Sequence, residues 1–167
     1  MKRLLLIRHA KSSWDDPALA DHERPLASRG RKAAERIADH LGDSDATIDL
    51  VLCSSSRRTR ETLERLSAAF GEAKVLLEDG LYGASAGDLL ERLRDVPDAV
   101  GGVAVIAHNP GIQDLTIELA RDGPHVGRAL KKFPTAAVAV LEFDAPWSGL
   151  ANGNARLVDF TVPKDLE

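Results

Sequence analysis

The sequence has little of what would place a chain in a specialised class of protein. One cysteine among 167 residues excludes an intrachain disulfide, and no cysteine or histidine spacing indicates a zinc site. No apolar run approaches the ~20 residues of a transmembrane helix, and none near the start is long enough for a signal peptide. Lysine and arginine total 22 against 26 acidic residues, which argues against general nucleic-acid binding. We therefore expect a cytoplasmic protein with no nucleic-acid or membrane partner.

What the chain does contain is a globular composition, with 44% hydrophobic and 29% charged residues. A chain of this length can bury roughly two thirds of its unfolded surface, so residues 1–167 are expected to form one domain. Apolar strands alternate with amphipathic helices up to residue 120, which predicts an α/β fold, a three-layer αβα sandwich around a mostly parallel sheet. Two later strands, Ala136 to Phe143 and Arg156 to Val162, predict a hairpin and hence an antiparallel edge.

Three of the predicted strands end in side chains suited to chemistry. These strands are apolar runs without polar alternation, as is typical of parallel strands buried on both faces. Parallel strands end at the same side of a sheet, so we expect the residues that follow them to meet there. Imidazoles together with guanidinium groups form a pocket for an oxyanion such as phosphate. The strands and the residues that follow them are Leu4 to Ile7 with Arg8 and His9, Ile48 to Cys53 with Ser54 to Arg58, and Val103 to Ala107 with His108.

These motifs resemble those of the histidine phosphatase superfamily, which has the phosphoglycerate mutase-like fold. The superfamily's Arg-His-Gly signature corresponds to Arg8-His9-Ala10, with alanine in place of glycine. Its serine, arginine and threonine at intervals of four correspond to positions within Ser54 to Thr62, and its second histidine to His108. The segments Arg24-Pro25-Leu26 and Phe133-Pro134-Thr135 are similar to the small phosphohistidine phosphatases of the SixA type.

The resemblance assigns roles to four residues. His9 would attack phosphorus as a neutral imidazole and form a covalent phosphohistidine that water then hydrolyses. Arg8, Arg58 and His108 would bind the oxygens of the phosphoryl group. Because these cations belong to the chain, neither a metal nor another cofactor is expected. The substrate would be a phosphorylated molecule, and a histidine-phosphotransfer protein is one candidate.

Three further residues are candidates for accessory roles. The superfamily's general acid follows its third strand, where Asp79 is favoured over Glu78. A leaving imidazole is easily protonated, however, so phosphohistidine cleavage has less need of a dedicated acid. Arg24 is interpreted either as an accessory phosphate ligand or as the partner of a nearby carboxylate. Asn109 is a candidate accessory residue and a candidate cap for the helix that follows it, with Pro110 at the first helical position.

The function predicted from these residues is a metal-independent phosphatase that acts on phosphohistidine in a protein. One alternative is a small-molecule phosphomonoesterase. Another is a phosphate-binding or adaptor domain that has the pocket without catalysing turnover, although a pure binder would not need His9.

Overall fold

The backbone forms a central sheet with α-helices in the connections between its strands. The computed structural model describes residues 1–44 and 47–167. Within these residues the strands are β1 (Lys2–Arg8), β2 (Leu50–Ser54), β3 (Lys74–Glu78), β4 (Gly102–Ala107), β5 (Val138–Phe143) and β6 (Arg156–Thr161). The helices are α1 (Ser28–Gly42), α2 (Arg57–Phe70), α3 (Ala86–Arg94), α4 (Gly111–Leu119) and α5 (Val126–Lys131). None of these helices has the length and apolar character needed to cross a membrane.

The six strands follow the order β3-β2-β4-β1-β5-β6 across the sheet. Strands β1 to β4 are mutually parallel, whereas β5 pairs antiparallel with β1 and β6 pairs antiparallel with β5. The predicted α/β fold with a mostly parallel sheet and an antiparallel edge is therefore confirmed. Because β4 lies between β2 and β1, the three strands that lead to the candidate residues are direct neighbours.

Both faces of the sheet are covered, which explains why its central strands lack polar alternation. Leu4 and Leu6 of β1 belong to a core that includes residues of α3, α4 and α5. Leu5 and Ile7 point to the opposite side, into a core shared with α1 and α2. All four side chains are at most 2% exposed, and burying each contributes about 1.5–3 kcal/mol. Helices on two sides of one sheet give the three layers predicted from the sequence.

The start of α4 differs from its prediction. The helix begins at Gly111 with Pro110 in the N-cap position, and no side chain caps it there. The Asn109 side chain instead donates through Nδ2 to the carbonyl oxygen of Phe133, at 3.0 Å. The predicted Asn109 cap was therefore wrong: a cap would accept through Oδ1, and among the described residues that oxygen is buried without a hydrogen-bond partner while Nδ2 binds the segment before β5.

The loop after β1 is fastened to the beginning of α1. The Ala27 backbone donates to the carbonyl of Lys11 at 2.9 Å, and the Ser13 backbone donates to that of Pro25 at 2.8 Å. Gly30 lies against this loop so closely that a Cβ atom there would be 2.1 Å from the Lys11 carbonyl oxygen. Only glycine therefore fits at this point of the helix.

Gly30→Ala is expected to lower the free energy of unfolding by about 1–3 kcal/mol, because the new methyl group forces backbone to move. Gly42→Ala is the matched control, since a Cβ at Gly42 meets no atom within 4 Å. This control should be neutral or stabilising by up to about 1 kcal/mol through helix propensity. Urea unfolding of both variants measures the difference, and equal stabilities would contradict the close packing of Gly30.

Candidate active site

The candidate site lies where β2, β4 and β1 end side by side. His9 continues the ladder beyond β1, with its backbone donating to the carbonyl of Ala107 at 3.1 Å. His108 follows β4, and the centroids of the two imidazole rings are 5.3 Å apart. Ser54 at the end of β2 lies 2.8 Å from Nε2 of His108 through its hydroxyl. The sheet order thus brings the ends of three chain segments together.

His9 is held in one tautomer by its own backbone surroundings. Its Nδ1 lies 2.7 Å from the carbonyl oxygen of Ala10, which can only accept, so Nδ1 carries the proton. The lone pair therefore resides on Nε2. Burial is the main cause that lowers the pKa of His9 to about 3, with further lowering from His108, Arg58 and Arg8. At neutral pH the ring is an uncharged base with a free nitrogen.

His108 is also uncharged at neutral pH. Burial lowers its pKa to about 4, and the nearby Arg58 guanidinium adds to this effect. The Ser54 hydroxyl engages Nε2 of the ring, and the Tyr82 ring packs edge-on against it at a centroid distance of 5.5 Å. An approaching anion would favour the protonated ring, because an opposite charge stabilises a cation.

Arg8 is a partly buried cation with unused hydrogen-bonding capacity. Its Nη1 donates to the Phe133 carbonyl at 3.0 Å, the same acceptor that Asn109 uses. Its Nε is buried and, among the described residues, has no hydrogen-bond partner. Burial lowers the pKa of the Arg8 guanidinium from its ordinary value. A cation that costs free energy to desolvate and lacks a carboxylate partner is suited to an incoming anion.

Arg58 reaches the site from the first turn of α2. The N-cap of this helix is Ser56, whose side chain accepts from the Thr59 backbone. One turn later the Thr62 hydroxyl donates to the Arg58 carbonyl at 2.7 Å and accepts from the Ala10 backbone at 2.9 Å. These bonds hold α2 against Ala10, the residue after His9. They therefore fix the position of Arg58 relative to His9.

The neighbouring Arg57 differs from Arg58 in burial and in partner. The Arg58 side chain is only 9% exposed, whereas that of Arg57 is 44% exposed. Arg57 forms an ion pair with Glu61, four residues along the same helix, at 2.8 Å. The structure therefore brings Arg58 to the site and leaves Arg57 on the helix surface.

Asp21 and Tyr82 belong to the site but do not stand out in the sequence. Asp21 accepts from Nη2 of Arg58 at 3.0 Å through Oδ2, and from Nη1 at 2.8 Å through its carbonyl. The Tyr82 hydroxyl donates to the same carboxylate at 2.5 Å, and Arg24 binds its other oxygen at 3.0 Å. Tyr82, followed by the two guanidinium groups, lowers the pKa of Asp21 well below its ordinary value. The available signal in the sequence was Arg24, three residues after Asp21, for which a nearby carboxylate partner was considered.

A cavity of about 230 Å³ opens beside these groups. Arg24 lines it while also bonding to Asp21 and, through Nε, to the Ser13 carbonyl at 3.1 Å. Both roles considered for Arg24 in the sequence are thus compatible with its position. The residues that line the cavity are Arg8, His9, Lys11, Ser12, Trp14, Arg24, Arg58 and Thr135.

The last residue of β3, Glu78, and the residue after it, Asp79, lie outside these contacts. Glu78 forms an ion pair with Arg92 at 2.8 Å. Asp79 is exposed on the single turn of 3-10 helix at Asp79–Leu81 and is not among the residues lining the cavity. Its role as general acid stays a prediction. In the part of the chain that the structure describes, no group of three or more histidine, cysteine or acidic side chains could hold a metal.

Comparison with known proteins agrees with this geometry. Residues 4–99 match the family model of the histidine phosphatase superfamily, branch 1. The chain belongs to this superfamily. An uncharacterized protein of Mycobacterium tuberculosis is 37% identical over 162 residues, which cover 95% of this chain and all of the relative. The Escherichia coli phosphohistidine phosphatase SixA is 28% identical over 159 residues, 90% of this chain and 91% of the relative.

Solved structures of the superfamily share the whole architecture. A candidate phosphohistidine phosphatase SixA from Nakamurella multipartitia superposes with a TM-score of 0.86 at 32% identity, over 97% of this chain and 96% of the other. Together with the family match, this likeness shows that the chain is a phosphatase.

Acidification is expected to destabilise the fold below about pH 6.5, the ordinary pKa of histidine. Below this pH the unfolded chain binds a proton at each of two histidines, His9 and His108. In the fold both rings stay neutral, because the pKa is about 3 for His9 and about 4 for His108. Stability that is complete above about pH 6.5 should fall by about 1.4 kcal/mol per pH unit for each of the two residues. Urea unfolding between about pH 7 and about pH 5 measures this slope, and His108→Gln should remove about half of it. A flat wild-type profile would show that both rings take up protons inside the fold.

Proposed function

We propose that this histidine phosphatase hydrolyses phosphohistidine on a protein through a covalent intermediate on His9. One observation favours an N–P bond over an O–P bond as the bond that is cleaved. The carboxylate bonded to the site's arginines, Asp21, has a lowered pKa and holds no proton at neutral pH. Within residues 1–44 and 47–167, no other carboxylate hydrogen-bonds or ion-pairs with Arg8, His9, Arg58 or His108. An alcohol leaving group needs a donated proton, whereas an imidazole leaves readily.

In the first step, Nε2 of His9 attacks phosphorus in line with the bond to the leaving imidazole. The N–P bond of the substrate breaks as the new N–P bond forms, and the leaving nitrogen takes up a proton from solvent or from a protonated His108. The ring of phosphorylated His9 becomes cationic, and its Nδ1 proton remains directed at the Ala10 carbonyl. Exchange between two imidazoles is nearly balanced in energy, so the barrier depends on positioning and charge.

In the second step, water attacks the phosphorus of phosphorylated His9. The N–P bond breaks, inorganic phosphate leaves, and Nε2 regains its lone pair. Arg8, Arg58 and His108 would stabilise the charge on the equatorial oxygens in both steps, and each such preorganised donor is worth about 3–4 kcal/mol in comparable sites. The name of the Escherichia coli relative, phosphohistidine phosphatase, supports this choice of substrate.

His9→Ala should abolish turnover of a phosphohistidine protein, because no nucleophile remains to form the intermediate. Rapid-quench samples of the wild type should contain an acid-labile, base-stable phosphoenzyme that the variant lacks. Equal activity of variant and wild type would refute the role of His9. Phosphate binding without turnover by the wild type would favour an adaptor domain, and turnover of aryl phosphates alone would favour a phosphomonoesterase.

Arg58→Ala should lower kcat by about 10²–10³-fold, because the variant loses a preorganised donor to the transition state. Arg57→Ala is its matched control, since that side chain lies on the surface and bonds to Glu61. The control should retain activity within about twofold of the wild type. Comparable losses in the two variants would place the phosphate elsewhere on α2.

Asp79→Asn tests the remaining candidate for the general acid. With a phosphohistidine substrate the variant should keep its rate, because the leaving imidazole is basic enough to find a proton. A general acid would reveal itself by a loss that grows with the pKa of the leaving group across a series of aryl and alkyl phosphates. A large loss on phosphohistidine itself would show that cleavage depends on Asp79 after all.

A further inference from the structure

A groove of about 730 Å³ lies next to the catalytic cavity. We call it the basic groove, because its rim carries eight exposed cationic side chains in a chain whose net charge is −4. Helix α1 contributes cations at i, i+3 and i+7, a spacing that puts them on one helix face, and Arg128 and Lys131 of α5 are followed directly by Lys132. The eight are Lys11, Arg29, Lys32, Arg36, Arg128, Lys131, Lys132 and Lys164.

Most of these charges have no partner of opposite sign. Among the described residues, Arg128 is the one member of the eight that forms an ion pair, with Asp165 at 2.9 Å. Glu167 is the single carboxylate among the residues that line the groove as described. Like charges concentrated on one face repel one another and attract anions from a distance. The groove is therefore a local anion-attracting surface on a protein that is acidic as a whole.

The floor of the basic groove is apolar. It is formed by Ala33, Pro134, Phe160, Val162 and Pro163, and the Arg128 guanidinium lies 5.5 Å from the centre of the Phe160 ring. An apolar centre inside a charged rim is the usual construction of a protein interface. Flexible lysines on separate segments do not give the fixed, convergent contacts of a small-ligand pocket.

The basic groove adjoins the catalytic cavity. Lys11 and Thr135 line both. Trp14 lines the catalytic cavity too; it is 74% exposed, and its ring is packed on the Arg24 guanidinium at 3.2 Å. Exposed tryptophans held rigidly in this way are frequent anchors of protein partners. A partner with its phosphoryl group at His9 would extend over the basic groove.

We infer that the basic groove docks an acidic face of the phosphoprotein substrate, with apolar side chains at its centre and the phosphohistidine at its edge. This inference rests on the proposed function and adds the chemistry of the partner surface. The acidic remainder of the molecule disfavours a long polyanion such as a nucleic acid. Acidic side chains on the partner would pair with the groove's free cations, which raises the rate of encounter more than the rate of the chemical step.

The test compares two double variants of equal net charge. Lys131→Glu with Lys132→Glu reverses charge in the basic groove, and Lys74→Glu with Arg121→Glu reverses it at exposed positions outside the groove. The substrates are free phosphohistidine and an acidic histidine-phosphotransfer protein phosphorylated with phosphoramidate. With the protein at low salt, the groove variant should lose about tenfold or more in kcat/KM with kcat unchanged. The loss should shrink at high salt, where charges are screened.

The small substrate separates the two hypotheses. Both variants should hydrolyse free phosphohistidine as the wild type does, and the control variant should lose less than about threefold on the protein. An unchanged kcat/KM of the groove variant on the protein, or an equal loss in the control, would overturn the docking surface. Either result would leave the proposed phosphohistidine phosphatase activity intact. The docking surface would equally be overturned if the groove variant lost only activity on small bisphosphate substrates, or only binding to anionic vesicles, because another ligand would then occupy the basic groove. Failure of the wild type on both phosphohistidine substrates would instead overturn the proposed function.

Discussion

The parallel pairing of β4 with both β1 and β2 is the constraint on which the candidate site depends. It places three chain segments, distant in sequence, at one edge of the sheet, where His9, His108 and Ser54 come into contact. The pairing holds because apolar side chains on both faces of β1 are covered by helices. Displacing a strand by one residue would exchange its two faces and turn the polar ends away from the cavity. Core packing and chemistry therefore depend on the same register.

Burial keeps His9, the proposed nucleophile, uncharged and also creates the main electrostatic cost of the site. Removing His9 from water keeps the ring neutral, but the same burial raises the free energy of the charged guanidinium groups beside it. The structure offsets that cost unequally. Arg58 is bonded to Asp21, whereas Arg8 has only a backbone acceptor and an unpartnered Nε among the described residues. Arg8, the less satisfied cation, is the last residue of β1 and directly precedes the proposed nucleophile His9, where the phosphoryl group of the proposed substrate would supply the missing acceptor.

Much of the fold and of the candidate site could be predicted from the sequence, because the signals for them lie within short segments of the chain. Unbroken apolar runs such as Leu4 to Ile7 indicate buried parallel strands, and parallel strands bring Arg8, His9 and His108 to one edge without knowledge of the strand order. The role of Asp21 could not be predicted in the same way. It lies in a single turn of 3-10 helix, Asp21–Glu23, without the periodicity of a longer element, and its partner Tyr82 is 61 residues away. The interpretation of Asn109 as a cap was wrong for a related reason, because its Nδ2 binds a carbonyl 24 residues further on and no side chain caps α4.

Spacing also cannot show how two helices face each other. The cations of α1 and α5 are unremarkable in each helix alone, since exposed lysine and arginine are the ordinary content of a solvated face. They become a groove only because the α1 face lies beside α5 and the segment after β6, next to the loop that carries Lys11. The candidate cavity, by contrast, has a volume of about 230 Å³, against about 730 Å³ for the basic groove. Under the proposed function, surfaces around the cavity would contribute to recognition of the molecule that carries the phosphate, and the basic groove is one of these surfaces.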